Sequence, residues 1–276
     1  MDTNKFPLVS IIIPYYNHNK FITKTLDSIL EDTYPNKEII LINDGSTEEN
    51  DHAIINWIEQ YKNDILIMYI KRENKGLTKT LNELIRTAEG RYLALLGSDD
   101  YFINNTLAER VKLLQNNPSK LMVIGDAIVV DEVGNTTHES GNFGFHQGVK
   151  KNYFTDKGLK YEIIRRWSIV GPVAMMDKKI FDLIGNYDEE LTVEDWDFYL
   201  RAVAKDLIIF LDQKVAAYRI HGNNSISNPI TLLKFRHSIM ISAKQNLKLF
   251  PFPYKYWLWK QYRSNKRKHR KLLKRQ

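Results

Sequence analysis

The chain has 276 residues, 43% of them hydrophobic and none of them cysteine. That is enough for one large domain, or one domain with an appendage, and it excludes disulfides and cysteine-ligated zinc. The formal charge of +7 is uneven: no acid follows Asp212, so residues 213–276 hold 16 Lys and Arg, while residues 1–212 hold the other 24 against all 33 acids. This polarity points to an anionic surface met by one end of the molecule, either nucleic acid or lipid.

In chain order, Leu8 to Ile13 is a predicted strand stopped by Pro14. Phe21, Ile22, Leu26, Ile29 and Leu30 recur at helical spacing over about 20–31. Glu38 to Ile42 is a second strand, Ile54 to Ile58 lie in a second helix, and Ile65 to Ile70 form a third strand. After the turn Asn74-Lys75-Gly76 a helix spans about 78–88, with Gly90 as its C′ glycine. A strand at 92–96 and a helix near 106–116 follow. Met122 to Val130 contains strand broken near Gly125-Asp126, and 134–158 reads as a long loop or irregular hairpin. Lys178 to Ile184 is a short helix, Glu194 to Lys205 a stronger one, and Leu207 to Leu211 and Val215 to Tyr218 are two short strands. From Thr231 the chain is helical, broken at Pro251-Phe252-Pro253. No apolar stretch reaches the length needed to span a bilayer. Met1 to Pro7 is polar, without the apolar core of a leader.

Alternating strands and helices predict an α/β fold, a Rossmann-like, mostly parallel central sheet flanked by helices. Right-handed crossovers then gather the strand ends at one edge, where such sheets bind ligands. That edge would collect Pro14-Tyr15-Tyr16-Asn17, Asp44-Gly45-Ser46 and Ser98-Asp99-Asp100. Adjacent carboxylates suit a hard divalent cation, which in turn holds a diphosphate. An aromatic at a strand end can stack on a base, and the Asp44 carboxylate can accept hydrogen bonds. The competing structural readings are an Asp-Gly turn at 44–45 and a capping turn at 98–100.

The order and spacing of these motifs resemble the family 2 glycosyltransferases with the GT-A fold. The resemblance runs over roughly residues 6–222: Val9 to Asn17, Asn43-Asp44-Gly45-Ser46, Asn74-Lys75-Gly76 with Asn82, Ser98-Asp99-Asp100, Glu194-Asp195, and Tyr218-Arg219-Ile220-His221. It implies a GT-A domain over 1–228, with a nucleotide-binding half at about 6–105 and an acceptor-binding half at about 106–228. It implies uracil against Pro14, Tyr16 and Asn17, read by Asp44. Asn74, Lys75 and Gly76 would touch the nucleotide, Ser98 and Asp99 the ribose or cation, and Arg219 a phosphate. Asp100 and His221 would hold Mn²⁺ or Mg²⁺. Serine opens the acidic motif where the family often has aspartate. Asp195 would be the general base. One base and one metal-held leaving group suit a single in-line displacement, so a UDP-α-sugar gives a β-linkage. Helix capping explains Glu194 equally well. Trp196 and Asp197 could face the acceptor sugar, and Gly171-Pro172 could shape its pocket.

Residues 229–276 form a helical basic extension. Tyr256, Trp257, Trp259 and Tyr262 suit a headgroup zone. The cations from Lys266 to Lys271 suit anionic lipid, at about 1 kcal/mol each near the surface. The reading is a cytoplasmic enzyme, peripheral on the inner face of the membrane, that transfers one sugar to a glycan or lipid-linked glycan in bacterial polysaccharide synthesis. The lack of spanning segments, and of Gln-x-x-Arg-Trp after Asp195, argues against a processive synthase; Arg166-Trp167 lies upstream. A nucleotidyltransferase is an alternative, but it would show a Gly-rich basic loop after the first strand. A non-catalytic module binding membrane or nucleic acid is another. Nucleic acid ranks lower, because no recognition motif accompanies the tail.

Overall fold

The computed structural model describes residues 6–47, 51–222 and 229–274. The leader reading at Met1 to Pro7 and the last two residues of the tail fall wholly or partly outside them. The first half is built from βα units: β1 (Val9–Tyr15), α1 (Asn19–Glu31), β2 (Lys37–Asp44), α2 (His52–Tyr61), β3 (Leu66–Arg72), α3 (Leu77–Thr87) and β4 (Tyr92–Leu95). These strands are parallel in the order β3-β2-β1-β4. The chain adds strands to one side of β1 and then crosses to the other, which makes the gap beyond β1 and β4 the switch point where such sheets take ligands. Ile11, Ile13, Ile39, Leu41, Leu93 and Ala94 are fully buried, as expected for strands covered on both faces.

β1 does not stop at Pro14. Its last pairing with β4 is Ile12↔Leu95, whereas pairing with β2 continues to Tyr15↔Asn43. Pro14 therefore lies beyond the end of β4, where its missing N–H need not break that ladder. Gly90 also has a different role from the expected helix stop. α3 ends at Thr87 with Ala88 extended, and a Cβ at Gly90 would lie 2.5 Å from Ser10 Oγ. Close backbone approach explains this glycine.

The second half is mixed. It comprises β5 (Tyr101–Phe102), α4 (Leu107–Asn116), β6 (Met122–Val130), β7 (Thr136–His138), α5 (Asp156–Arg165), β8 (Ala174–Asp177), α6 (Ile180–Ile184), α7 (Glu194–Ala204) and β9 (Ile208–Arg219). The sheet continues β4-β8-β6-β9-β5, with β7 on β6. β8 is antiparallel to β4 and β6, and β9 is parallel to β6. The two short strands expected at 207–218 are one strand, β9. Its register against β6 shifts on either side of Asp126, which absorbs the break expected at Gly125-Asp126 as bulges in continuous strands. The expected loop at 134–158 contains β7 and two short helical turns, and α5 begins at its end.

The basic extension forms α8 (Pro229–Asn246) and α9 (Tyr254–Leu273), broken at the expected prolines. The pair is seated on the second half. Asn246 Nδ2 donates to Asp197 Oδ1 at 2.7 Å, the Thr192 N–H donates to Ser238 Oγ at 2.9 Å, and Gln261 Nε2 reaches the carbonyls of Ile164 and Arg165 at 3.2 Å. Leu258 and Ala243 are fully buried. Among the described residues no helix is long and apolar enough to cross a membrane.

Candidate active site

The loops after β1 and β2 are tied to each other. The Asn17 N–H donates to Ser46 Oγ at 2.9 Å, and Asn17 Oδ1 accepts from the Thr47 N–H at 3.3 Å. Asn17 has φ 56°, a left-handed conformation that asparagine tolerates. Tyr15 is buried, whereas the next ring, Tyr16, is 50% exposed, so only Tyr16 offers a face for stacking. Asp44 is buried at the end of β2. Oδ1 accepts from the Lys75 N–H at 2.7 Å and from the Arg72 guanidinium, and Oδ2 accepts from the Gly76 N–H at 2.9 Å. A carboxylate has about four acceptor positions, and three are used here. Gly45 (φ 79°) makes this contact possible, since a Cβ there would lie 2.6 Å from the Asn74 nitrogen. The Asn74-Lys75-Gly76 turn is thereby held against Asp44, with Asn74 and Lys75 exposed. Asn82 is occupied elsewhere, bonding Tyr187 and Glu189.

The acidic loop after β4 rests on α1. Thr25 Oγ1 contacts the Asp100 carbonyl at 2.6 Å and the Ser98 carbonyl at 3.1 Å. A Cβ at Gly97 would stand 2.7 Å from Asp100 Oδ2 and 2.8 Å from Asp99 Oδ1, so both carboxylates fold over this glycine. From there they diverge. Asp100 Oδ1 accepts the Arg219 N–H at 2.8 Å, and burial together with the neighbouring Asp99 raises its pKa well above the usual carboxylate range. Asp99 instead meets two imidazoles. His221 Nε2 lies 3.0 Å from Asp99 Oδ2, His18 Nδ1 lies 3.8 Å from Asp99 Oδ1, and one ligand atom from each residue falls within 4.8 Å of the others. Burial lowers the His18 pKa, favouring the neutral imidazole a metal needs. Ser98 Oγ stands 2.9 Å from His18 Nδ1. The donor atoms of His18, Asp99 and His221 thus stand close enough together to hold a metal ion. Asp100, the acid expected to hold the ion, is not among them.

Arg219 differs from the expectation too. Its Nε donates to the Asp99 carbonyl at 2.9 Å, and NH1 donates to the carbonyls of Asp131 and Glu132 at 3.0 and 3.1 Å. It is 5% exposed. This guanidinium braces the acidic loop from beneath and is not an open phosphate donor.

Asp195 opens α7. A cavity of about 200 Å³ is lined by Pro14, Gly97, Asp100, Trp167, Glu194 and Asp195, among others, so the switch point and the start of α7 share one space. Burial raises the pKa of both Glu194 and Asp195, and Asp195 pushes Glu194 further up. The Trp196 N–H, at 2.7 Å from Asp195 Oδ1, partly offsets the rise at Asp195. Two adjacent carboxyls, Glu194 buried and Asp195 partly so, do not both ionise readily, so the pair keeps a proton at pH values where an ordinary carboxylate has lost it. Trp196 is buried with Nε1 on the Ile163 carbonyl at 2.8 Å. Asp197 has both oxygens engaged, by Arg201 and Asn246. Neither of these two presents a free polar group to an acceptor. Gly171 lines the cavity.

Sequence reasoning missed His18 and Trp167. His18 follows the β1 loop directly, at the same sheet edge as the acids, and that placement was a usable signal. Trp167 has φ 50°, an uncommon conformation for a bulky residue that points to a functional constraint. It packs edge-on against Tyr199 at 4.9 Å, forming a wall of the cavity.

Comparison with known proteins follows the same lines. The sequence profile of glycosyl transferase family 2 matches residues 10–185. A Rickettsia bellii protein described only as an uncharacterised glycosyltransferase is 30% identical over 217 residues, covering 79% of this chain and 29% of its own length. Glycosyltransferase GlyA of Streptococcus pneumoniae is 26% identical over 255 residues, covering 87% and 34%. The chain therefore spans about a third of the length of these two relatives. Among solved structures, the S. aureus TarS 1–349 fragment superposes with TM-score 0.65 at 19% identity, covering 93% of this chain and 71% of that one. The mannosyltransferase PcManGT of Pyrobaculum calidifontis, solved with GDP-Man and Mn²⁺, gives TM-score 0.69 at 18% identity, covering 93% and 69%. At such identities the superpositions speak for the GT-A fold alone, whereas the profile match spans more than half the sequence, and on that ground the chain belongs to glycosyltransferase family 2.

Proposed function

We propose that this chain is a metal-dependent, inverting transferase that moves one sugar from a UDP-sugar to a hydroxyl of a glycan acceptor, forming a β-linkage. The observation that carries the reading is the shared cavity: Pro14 and Asp100 from the donor edge line the same space as Asp195. Tyr16 offers an open ring to a base, and Asp44 keeps one acceptor position on Oδ2 for a ring N–H. Neighbours were solved with UDP-GlcNAc and with GDP-Man; the single acceptor position left on Asp44 suits the one ring N–H of uracil better than the two adjacent donors of guanine.

His18, Asp99 and His221 fit a divalent cation by the proximity of their donor atoms. Two imidazoles disfavour Mg²⁺, which prefers oxygen cages, and Mn²⁺ is the ion named with the neighbour PcManGT. When bound, that ion would neutralise the departing diphosphate as a Lewis acid. The chain's own residues do the rest. Asp195 accepts the proton of the acceptor hydroxyl as that oxygen bonds the anomeric carbon and the carbon–diphosphate bond breaks. Its raised pKa makes it a stronger base than an exposed aspartate. Glu194 holds a proton beside it, and Trp167 and Tyr199 exclude water.

We assign the nucleotide half to about 6–105, the acceptor half to about 106–228, and the α8–α9 pair to membrane contact, on bacterial polysaccharide intermediates. Along α9, Arg263, Lys266, Arg267, Arg270, Lys271 and Lys274 line one continuous surface, and Tyr256 and Trp259 are exposed near its start. Cations with interfacial aromatics suit an anionic leaflet. The test of the central reading is a screen of UDP- and GDP-sugars for Mn²⁺-dependent thermal stabilisation and hydrolysis. A response to UDP-sugars supports it. A response to GDP-sugars alone replaces the nucleotide, and no response to either removes the reading.

A further inference from the structure

Beyond Asp195 the cavity opens into a cleft of about 650 Å³ that reaches the α8–α9 pair. Glu194 and Asp195 stand on its wall, as do Trp167, Phe235 and two arginines. The arginines are held in different ways. Arg166 is answered by Glu162 at 3.3 Å, a carboxylate with no exposure. Arg236 is held by a neutral group: its NH1 donates to Asn265 Oδ1 at 3.1 Å, and the guanidinium lies 5.3 Å from the Phe235 ring centroid. Among the described residues no carboxylate pairs with it. Asn265 is 3% exposed, and its amide nitrogen donates to the Gln261 carbonyl at 2.9 Å. That bond fixes which way the amide points, so its oxygen must face Arg236.

An amide orients a guanidinium without cancelling its charge. A partly desolvated, uncompensated cation is costly unless an anion completes it, and the guanidinium fork matches the oxygens of phosphate. Free arginines on a surface are common, but this one is positioned by a buried side chain within the cleft that contains the proposed base. The aromatic faces of Trp167 and Phe235 stand beside it as apolar walls for a sugar ring.

We propose that Arg236 is a binding residue for a phosphate group on the acceptor, so that the substrate class is a phosphate-bearing glycan or glycosyl carrier whose attacking hydroxyl lies at Asp195. This inference rests on the transferase reading above and deepens it. The phosphate has two sources, a lipid carrier or a soluble phosphorylated glycan.

The test is calorimetric titration of the full chain with glucose 1-phosphate and, separately, with a prenyl phosphate in neutral detergent. Arg236→Gln should weaken binding by about tenfold or more, the size of one lost charged hydrogen bond. Asn265→Asp should weaken it by about fivefold, because it places a carboxylate on Arg236 while leaving the arginine in position. Lys112→Gln, exposed on α4, should leave binding unchanged. Tighter, Arg236-dependent binding of the prenyl phosphate assigns the lipid source, and equal binding of both probes assigns the soluble one. Unchanged affinity in Arg236→Gln, or no binding of either probe by the wild type below 10 mM, overturns the proposal. UDP binding with Mn²⁺, measured on the same proteins, reads the donor site separately. Its absence in the wild type would sink the transferase reading whatever phosphate does, and its retention in Arg236→Gln shows that the variant is folded.

Discussion

The two halves of the sheet reach the same cavity by different means. In the first half each catalytic-edge loop is the direct continuation of a parallel strand, β1, β2 or β4, so regular topology alone brings Tyr16, Asp44 and Asp99 to one edge. In the second half the site is assembled from the start of α7, a strained turn at Trp167 and two helices from the end of the chain. The first half is a scaffold whose site follows from its periodicity. The second is a site whose scaffold follows from long-range contacts. Donor recognition should therefore tolerate changes in the second half outside the Arg219–His221 segment, which holds the acidic loop, while acceptor chemistry should not.

The sharpest way to break this contrast is Asp195→Asn. Transfer should fall by about 10³-fold, within the range for a lost general base, while UDP binding with Mn²⁺ stays within twofold by calorimetry. A parallel loss of UDP binding would mean the halves are not separable. Next in size is the acidic loop. Asp99→Asn should raise the Mn²⁺ concentration for half-maximal activity by about 100-fold, with His18→Ala giving at least about tenfold. Asp100→Asn should move it far less, since that residue serves the Arg219 N–H. The reverse order would return the metal to Asp100.

Activity should also depend on pH through the second half. Burial raises the Asp195 pKa, so kcat should fall on acidification with a midpoint above the ordinary carboxylate range. A midpoint near 4 would contradict this. The same burial has a stability consequence. With its pKa raised in the folded state, Glu194 binds its proton more tightly folded than unfolded, so stability is lost as pH rises from the ordinary Glu value through the raised one. Glu194→Gln removes that dependence, so the melting-temperature difference in its favour should grow as pH rises from 4.5 to about 8 and level off above that. A constant difference would refute the shifted pKa.

The smallest effect separates the two ends of the first-half strands. Gly90→Ala forces a methyl against Ser10, including its backbone nitrogen at 2.7 Å. It should cost about 1–3 kcal/mol of stability by denaturant titration with kcat unchanged. Gly97→Ala presses on the Asp99 and Asp100 carboxylates and should show instead in Mn²⁺ affinity.

What the sequence made legible follows the same division. The apolar runs at Ile11–Ile13, Ile39–Leu41 and Leu93–Leu95, each ending in a polar cluster, identify buried parallel strands and their ligand edge. β9 was read as two strands because the polar Asp212-Gln213-Lys214 segment interrupts its apolar pattern where the bulges occur. α5 was missed because Gly158 and scattered charges weaken its helical period. Two adjacent aspartates look alike in sequence; only the β9 backbone at Arg219 and the imidazoles of His18 and His221 distinguish Asp99 from Asp100. Arg236 carries no local signal at all. Its charge acquires meaning through Asn265, 29 residues on.

The most direct test is a crystal structure of the Asp195→Asn protein soaked with UDP and Mn²⁺, with anomalous scattering locating the ion. The account predicts the ion between His18, Asp99 and His221, the uracil against Tyr16 and Asp44, and the diphosphate facing the start of α7. An ion bound elsewhere, or UDP on a face remote from residue 195, would contradict it.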